Sequence, residues 1–309
     1  MIGTIEPRSA CGARICGALV VLEAAGTLGR GVVAAALEAG YPVVAVDHRQ
    51  EALSALPVPA ASHPPLIRVD GDVRSEAGAQ ALAETLRGIG RPLAAVVVAG
   101  DVGGLRGRLL DQPLDVSCAG LLAALAPPLA AARHLLPLLA DHDRGGSFVL
   151  IGGPGGVHPW AGYGHRSVAE ASLRMLARVL HREARALGVR VQLLATGTPL
   201  AALPAPGPQA QAVIAQSLAL SIGRRVLRLL APGASAEAIV EFAMPEASFQ
   251  HGASAPATPS ADARTASAQS ADSPPAMLPA GCLEDARALL QRFARPLHQP
   301  SRKQESSPR

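Results

Sequence analysis

The sequence predicts an α/β domain built on a doubly wound parallel sheet flanked by helices. Three observations carry that expectation. Short, unbroken apolar runs alternate with stretches of helical periodicity. The chain is 49% hydrophobic but only 2% aromatic; its apolar residues are mostly Ala, Leu and Val, which suits parallel strands buried on both faces better than an aromatic-rich sandwich. A glycine-containing turn also follows the first apolar run and opens a helix.

Residues 1–14 read as a loose leader and residues 15–252 as the domain. Ala18 to Leu22 is the first strand, followed by Glu23-Ala24-Ala25-Gly26-Thr27-Leu28-Gly29. Arg30 to Ala39 reads as a helix that Gly40 ends, with Pro42 just beyond. Val43 to Val46 is a second strand closed by Asp47, and Leu66 to Val69 a third that leads to Asp70 and Asp72. Ser75 to Ile89 is helical, with Ala79, Leu82, Leu86 and Ile89 on one face. Ala94 to Ala99 is the fourth strand, closed by Gly100. A long Leu/Ala helix lies within Ser117 to Ala140, with a kink expected near Pro127-Pro128. Ser147 to Ile151 is the fifth strand, Tyr163 to Leu187 a helix, and Val189 to Leu194 the sixth strand. Leu200 to Arg225 is Ala/Pro/Gln-rich and reads as an apolar or mobile lid. Right-handed crossovers put every carboxyl strand end, and so any ligand crevice, on one edge. No convincing last strand follows Gly252. Residues 253–277 form an Ala/Ser/Pro-rich stretch read as a disordered linker. Residues 278–298 read as a short amphipathic helix with Leu283, Leu289, Leu290 and Phe293 on one stripe, and 299–309 as a tail.

Composition excludes several classes. The 309 residues carry a net charge of +4 without a basic cluster, so no nucleic-acid partner is expected. No run approaches the roughly 18 consecutive apolar residues of a membrane span. Cys11, Cys16, Cys118 and Cys282 show neither paired nor metal-binding spacing, so they read as reduced thiols of a cytoplasmic protein with no metal site. Lys303 is the only lysine in the chain.

The pieces from about Ala18 to Gly252 resemble the short-chain dehydrogenase/reductase family, whose Rossmann-like domain fits the pattern above. The family's T-G-x-x-x-G-x-G turn aligns with Leu22 to Gly29 and keeps only the last glycine, with Gly26 and Gly29 retained in a variant spacing. Asp72-Val73 stands where a family Asp approaches the adenine. Val97-Val98-Ala99-Gly100 replaces N-N-A-G. Tyr163 stands where the tyrosine of Y-x-x-x-K falls. Thr196-Gly197 replaces Pro-Gly, and Pro245 to Gly252 resembles the stretch before the family's last strand.

The resemblance implies a cofactor site made by Gly26, Leu28, Gly29, Asp47, Asp72, Val73, Ala99, Gly100 and Tyr163. Asp47 at the end of the second strand would favour NAD(H) over NADP(H) if any dinucleotide is bound, because it would hydrogen-bond ribose hydroxyls and repel a 2′-phosphate; Arg49 blurs that preference. Glu23 puts a carboxylate where the family has no side chain, close to the expected pyrophosphate. The resemblance also implies a tyrosine acid/base assisted by lysine, serine and asparagine. Here Ser167 stands at the lysine position, Gly153 at the serine position and Ser117 at the asparagine position. An unassisted phenol near pKa 10 stays protonated at neutral pH. Arg166 is the candidate rescue, with His158 and His165 nearby.

The expected function is therefore a family member with impaired catalysis, in effect a pseudoenzyme, acting as a binding, scaffold or regulatory protein with a small-molecule ligand. The alternative is an active NAD(P)-dependent oxidoreductase that reduces a carbonyl or oxidises an alcohol, with Tyr163 as the acid/base. A homo- or hetero-oligomer through the helices at 117–140 and 163–187 is also expected.

Overall fold

The computed structural model describes residues 17–56, 65–100, 107–141, 146–160, 162–197 and 207–242. The leader, the 253–277 linker, the 278–298 helix and the tail lie outside the described residues.

Seven parallel strands form one sheet in the order β3-β2-β1-β4-β5-β6-β7. They are β1 Ala18–Leu22, β2 Val43–Asp47, β3 Leu66–Asp70, β4 Leu93–Val98, β5 Ser147–Gly152, β6 Arg190–Thr196 and β7 Ile239–Phe242. β1, β2, β4 and β5 are buried at every position, which is why they appear in the sequence as continuous rather than alternating apolar runs. Helices cover both faces: α1 Thr27–Glu38, α2 Gln50–Ser54 and α6 Pro208–Leu230 on one, α3 Glu76–Gly88, α4 Leu114–Ala140 and α5 Gly164–Glu183 on the other. Ser75 caps α3 by accepting the Gly78 N–H, and a 3₁₀ turn, Ala184–Leu187, follows α5.

Four expectations change. A last strand is present: β7 pairs parallel with β6, with Leu193 opposite Ile239 and Thr196 opposite Phe242. It lies upstream of the place the family pattern suggested. Its four residues alternate in burial, too short a run to announce itself. Buried Gln192 on β6 secures the approach by donating to the Ser235 and Glu237 carbonyls.

Second, the lid region is largely helix. Its residues from Pro208 onward belong to α6, which lies along α1. A Cβ on Gly31 would fall 2.3 Å from the Ala219 carbonyl carbon, and one on Gly223 would fall 2.5 Å from the Gly31 oxygen. The two backbones therefore touch, which only glycine permits.

Third, α4 runs as one helix through Pro127, Pro128 and Pro137 and begins at Leu114, three residues earlier than expected. Fourth, α4 is by length and composition apolar enough to cross a membrane, with a mean hydropathy of 1.6 over its best window. A few polar residues break its consecutive apolar run, yet the mean stays high. Its inner face nonetheless belongs to the core, where Ala131, Leu135 and Leu139 are fully buried.

Candidate ligand crevice at the carboxyl edge of the sheet

The strand order reverses between β1 and β4, and the carboxyl ends of these strands open onto a crevice. This is the position where open α/β sheets bind ligands. One cavity of about 460 Å³ is bordered by the β1 turn, the ends of β4, β5 and β6, and the amino half of α6. A second, of about 490 Å³, lies over the ends of β2 and β3. Glu23 borders both.

The β1 turn is tightly knotted. The Ala24 N–H donates to the Val46 carbonyl, and the Gly26 N–H donates to the Glu23 carbonyl. A Cβ on Gly29 would lie 2.3 Å from the Glu23 oxygen, so the first turn of α1 needs a glycine there. Glu23 has φ = 56° and is the only non-glycine with positive φ among the described residues. It thus adopts the left-handed backbone suited to the glycine that the family pattern has at this place. Its carboxylate lies over Gly100 at the end of β4, where a Cβ would meet the two carboxylate oxygens at 2.9 and 3.0 Å.

Asp47 is turned inward, with its side chain fully buried. Arg49 donates to it through Nε and Nη2, both at 2.9 Å, and through its backbone N–H at 3.0 Å. The Ala25 N–H donates to the other side of the carboxylate at 2.9 Å. Burial pushes the Asp47 carboxyl up, but the Arg49 guanidinium and the two backbone N–H groups outweigh it and hold it below the usual carboxylate range. Asp72 repeats the device near the surface. Arg74 holds it with two side-chain hydrogen bonds of 2.9 Å and a backbone bond of 2.8 Å, which lowers its pKa against a smaller upward effect of burial. Asp47, Asp72 and Val73 all line the second cavity.

At the far end, α5 presents Arg166 and Glu170 to the crevice. Glu170 is 1% exposed and accepts the Gly153 N–H at 2.8 Å. The Arg166 Nη2 stands 3.9 Å from its carboxylate. Thr196 donates to the Gly152 carbonyl and ties β6 to β5 beside them.

The expected residues therefore divide. Gly26, Leu28, Ala99, Gly100 and Arg166 line the main crevice, and Gly29 is packed beneath its turn. Tyr163 borders neither cavity; it is the residue before α5, and its ring meets Trp160 edge to face with centroids 6.0 Å apart. Ser167 at the lysine position is a local clamp. It accepts the Trp160 N–H at 2.9 Å and donates to the Tyr163 carbonyl. Ser117 on α4 meets buried His165 of α5 at 3.4 Å, away from both cavities, and His158 is exposed. Sequence reasoning missed Glu170. The available signal was its place four residues after Arg166, on the same helix face.

This is the crevice of a dinucleotide-type α/β protein, with altered side chains at both ends. A family model described as enoyl-(acyl carrier protein) reductase matches residues 24–257, and the chain belongs to the short-chain dehydrogenase/reductase family. Similar folds include a short-chain dehydrogenase from Streptomyces avermitilis, 18% identical, covering 74% of this chain and 89% of that one, with a TM-score of 0.60. A metagenomic short-chain oxidoreductase solved in complex with NADP is 21% identical, covering 74% and 97%, with a TM-score of 0.57. A Pseudomonas aeruginosa PAO1 short-chain oxidoreductase described as containing an atypical catalytic centre is 19% identical, covering 72% and 94%, with a TM-score of 0.61. No curated protein sequence matches the chain.

Proposed function

We propose that this chain is a ligand-binding member of its family that has lost the tyrosine–lysine route to hydride transfer and serves as a binding, scaffold or regulatory protein. The observation that carries the reading is the α5 wall of the crevice. Arg166 and Glu170 form it, while Tyr163 lies against Trp160 and Ser167 is used as a clamp. A tyrosine that does not line the crevice is poorly placed to pass a proton to a substrate inside it, since general acid catalysis needs hydrogen-bond reach.

The residues present do not fit a dinucleotide in the family's pose. A cofactor reaching from the Asp47 and Asp72 cavity to Gly153 must cross Glu23, which borders both cavities. Its carboxylate would face the pyrophosphate in a partly dry site, and like charges there repel strongly. Should a dinucleotide bind weakly, NAD(H) remains favoured over NADP(H) because Asp47 adds negative charge, although Arg49 offsets much of it. A cytoplasmic location belongs to the same proposal.

A second reading, an active oxidoreductase with a rearranged site, is favoured by one observation: Arg166, permanently charged, does line the crevice. Titration of the purified chain with NADH and NADPH, followed by assay against a panel of carbonyls and alcohols, separates the two. The first reading expects no saturable binding at micromolar dinucleotide and no turnover. Turnover that Tyr163→Phe abolishes overturns it.

The same proposal includes pairing through α4 and α5. Support comes from the apolar side chains these helices leave in solvent: Leu114, Leu122 and Leu129 on α4, and Val168, Met175 and Val179 on α5. Monomeric soluble proteins rarely expose a large contiguous apolar patch.

A further inference from the structure

The chain leaves the sheet at the rim of the crevice. β7 runs parallel to its neighbours, so Phe242 ends it at the carboxyl edge. A Cβ on Gly197 would lie 3.9 Å from the Phe242 carbonyl oxygen, and Gly197 follows Thr196, which lines the crevice. Much of what comes next is particular to this chain. The match to the family model stops at residue 257, and the likeness to the metagenomic oxidoreductase takes in 97% of that chain but only 74% of this one. Beyond residue 257 one stretch carries a helical apolar pattern, with Leu283, Ala286, Leu290 and Phe293 at heptad spacing. Glu284 and Asp285 stand at its start, Arg292 and Arg295 at its end, and Pro296 follows. That is the charge order and the stop signal of a helix.

We propose that this segment, residues 283–293, docks across the crevice of its own chain and lowers Leu290 and Phe293 into it, so that the protein carries a built-in competitor for its ligand site. The proposal rests on the reading that no dinucleotide occupies the crevice. Shape supports it. The cavity holds about 460 Å³, room for large side chains but not for a helix about 10–12 Å across. A helix lying over the mouth can still insert one stripe. The walls suit such side chains: Leu28, Ile151 and Ile222 supply apolar surface, while Gly100, Ala212 and Ala215 take up little space. Distance allows it as well. Phe242 and Leu290 are 48 positions apart, 290 less 242, and an unstructured chain of that length averages about 40 Å end to end. A tether of that span supplies an effective concentration on the order of a millimolar or more. A contact too weak to hold two separate molecules together therefore still closes within one. A ligand enters by displacing the segment, and its apparent affinity falls with the fraction of open chains.

The test uses the full chain with p-benzoylphenylalanine replacing Phe293, which keeps an aromatic ring at that position. Irradiation followed by digestion and mass spectrometry locates the residue it bonds. The expected products join position 293 to α6 between Pro208 and Ile222, or to the Gly152–Pro154 turn, within one chain. Mixing isotopically labelled and unlabelled chains before irradiation reports any bond between copies. Bonds between copies, bonds to the outer faces of α4 and α5, or no bond at all overturn the proposal. A second measurement reads the competition. The double variant Leu290→Glu/Phe293→Glu is expected to bind the neutral apolar dye N-phenyl-1-naphthylamine about tenfold more tightly than the parent, as when a segment docked in about nine chains of ten is released. Adding Ala212→Trp, at an exposed position of the crevice wall, is expected to abolish that gain by filling the site. Thermal unfolding confirms that each variant is folded. Equal dye affinity in parent and double variant, or a gain that survives Ala212→Trp, also overturns the proposal. An NADH arm keeps the two ideas apart. Micromolar NADH binding by the parent defeats the earlier reading whatever the crosslinks, whereas misplaced crosslinks without NADH binding defeat only this inference.

Discussion

Glu23 offers the sharpest experiment, because charge and backbone strain can be separated at one position. Replacing it with glycine removes a carboxylate from the border between the two cavities and relieves a left-handed backbone at φ = 56°. Replacing it with glutamine removes the charge and keeps the strain. A pyrophosphate charge passing about 5 Å from the carboxylate, at an effective dielectric of ~20, is repelled by about 3 kcal/mol, or about two orders of magnitude in Kd. Both variants are therefore expected to bind NADH about a hundredfold more tightly than the parent, measured by nicotinamide fluorescence. Stability should behave differently. Relief of the left-handed strain is worth about 1–2 kcal/mol, and the freedom glycine adds to the unfolded chain takes back about 0.5–1 kcal/mol. The net gain of about 1 kcal/mol raises the Tm of Glu23→Gly by ~2–4 °C, and Glu23→Gln stays near the parent. If the parent already binds NADH at micromolar concentration, or if neither variant gains as much as tenfold, the electrostatic argument is wrong.

Other perturbations test other links. Gly223→Ala places a methyl 2.5 Å from the Gly31 oxygen and should cost about 1–3 kcal/mol in urea denaturation, with an unchanged m-value; an effect near zero would show that the helix crossing is not tight. The folded Asp47 carboxyl titrates below its unfolded value, so its ion pair contributes stability above pH ~4 that is lost as pH falls through the folded pKa. Asp47→Asn should therefore cost about 1–3 kcal/mol at pH 7, with the gap to the parent closing below pH ~4; a gap independent of pH would remove the pair from the account. Leu122→Glu and Met175→Glu, at positions 67% and 56% exposed, should each turn a dimer into a monomer by light scattering, since each forfeits about 2 kcal/mol of apolar burial per copy. A monomeric parent refutes pairing through these helices.

The sheet was legible because parallel strands buried on both faces carry their burial in composition alone. Val43 to Asp47 and Leu93 to Val98 could hardly be anything else. β7 was not legible, because Ile239 to Phe242 offers only four residues of alternation and its partner, Leu193 to Thr196, lies 46 residues earlier in the chain. α6 hid behind Ala, Gln and Pro at its amino end, where its contact is with a ligand crevice and not with the core. At the site, motif spacing located the right helix. It directed attention to Tyr163 and Ser167, whereas the helix phase turns Arg166 and Glu170 into the crevice. Side-chain direction at a helix start depends on the preceding turn, here set by the Trp160–Ser167 clamp, and spacing within the motif does not encode it.

Pinned to α1 at Ala219 and Gly223, α6 is a lever. About 16 Å of helix, at ~1.5 Å per residue, projects from that fulcrum to Pro208 at the crevice wall. Backbone lies against backbone at that point, with the buried side chains of Val32, Ile222 and Val226 packed around it. A tilt of about 10° would move its tip by about 3 Å over that length. The other arm of the same fulcrum is α1, whose amino end frames the Glu23 turn. A shift of α6 at the β5 end of the crevice would therefore be expected to be felt at the Glu23 turn as well.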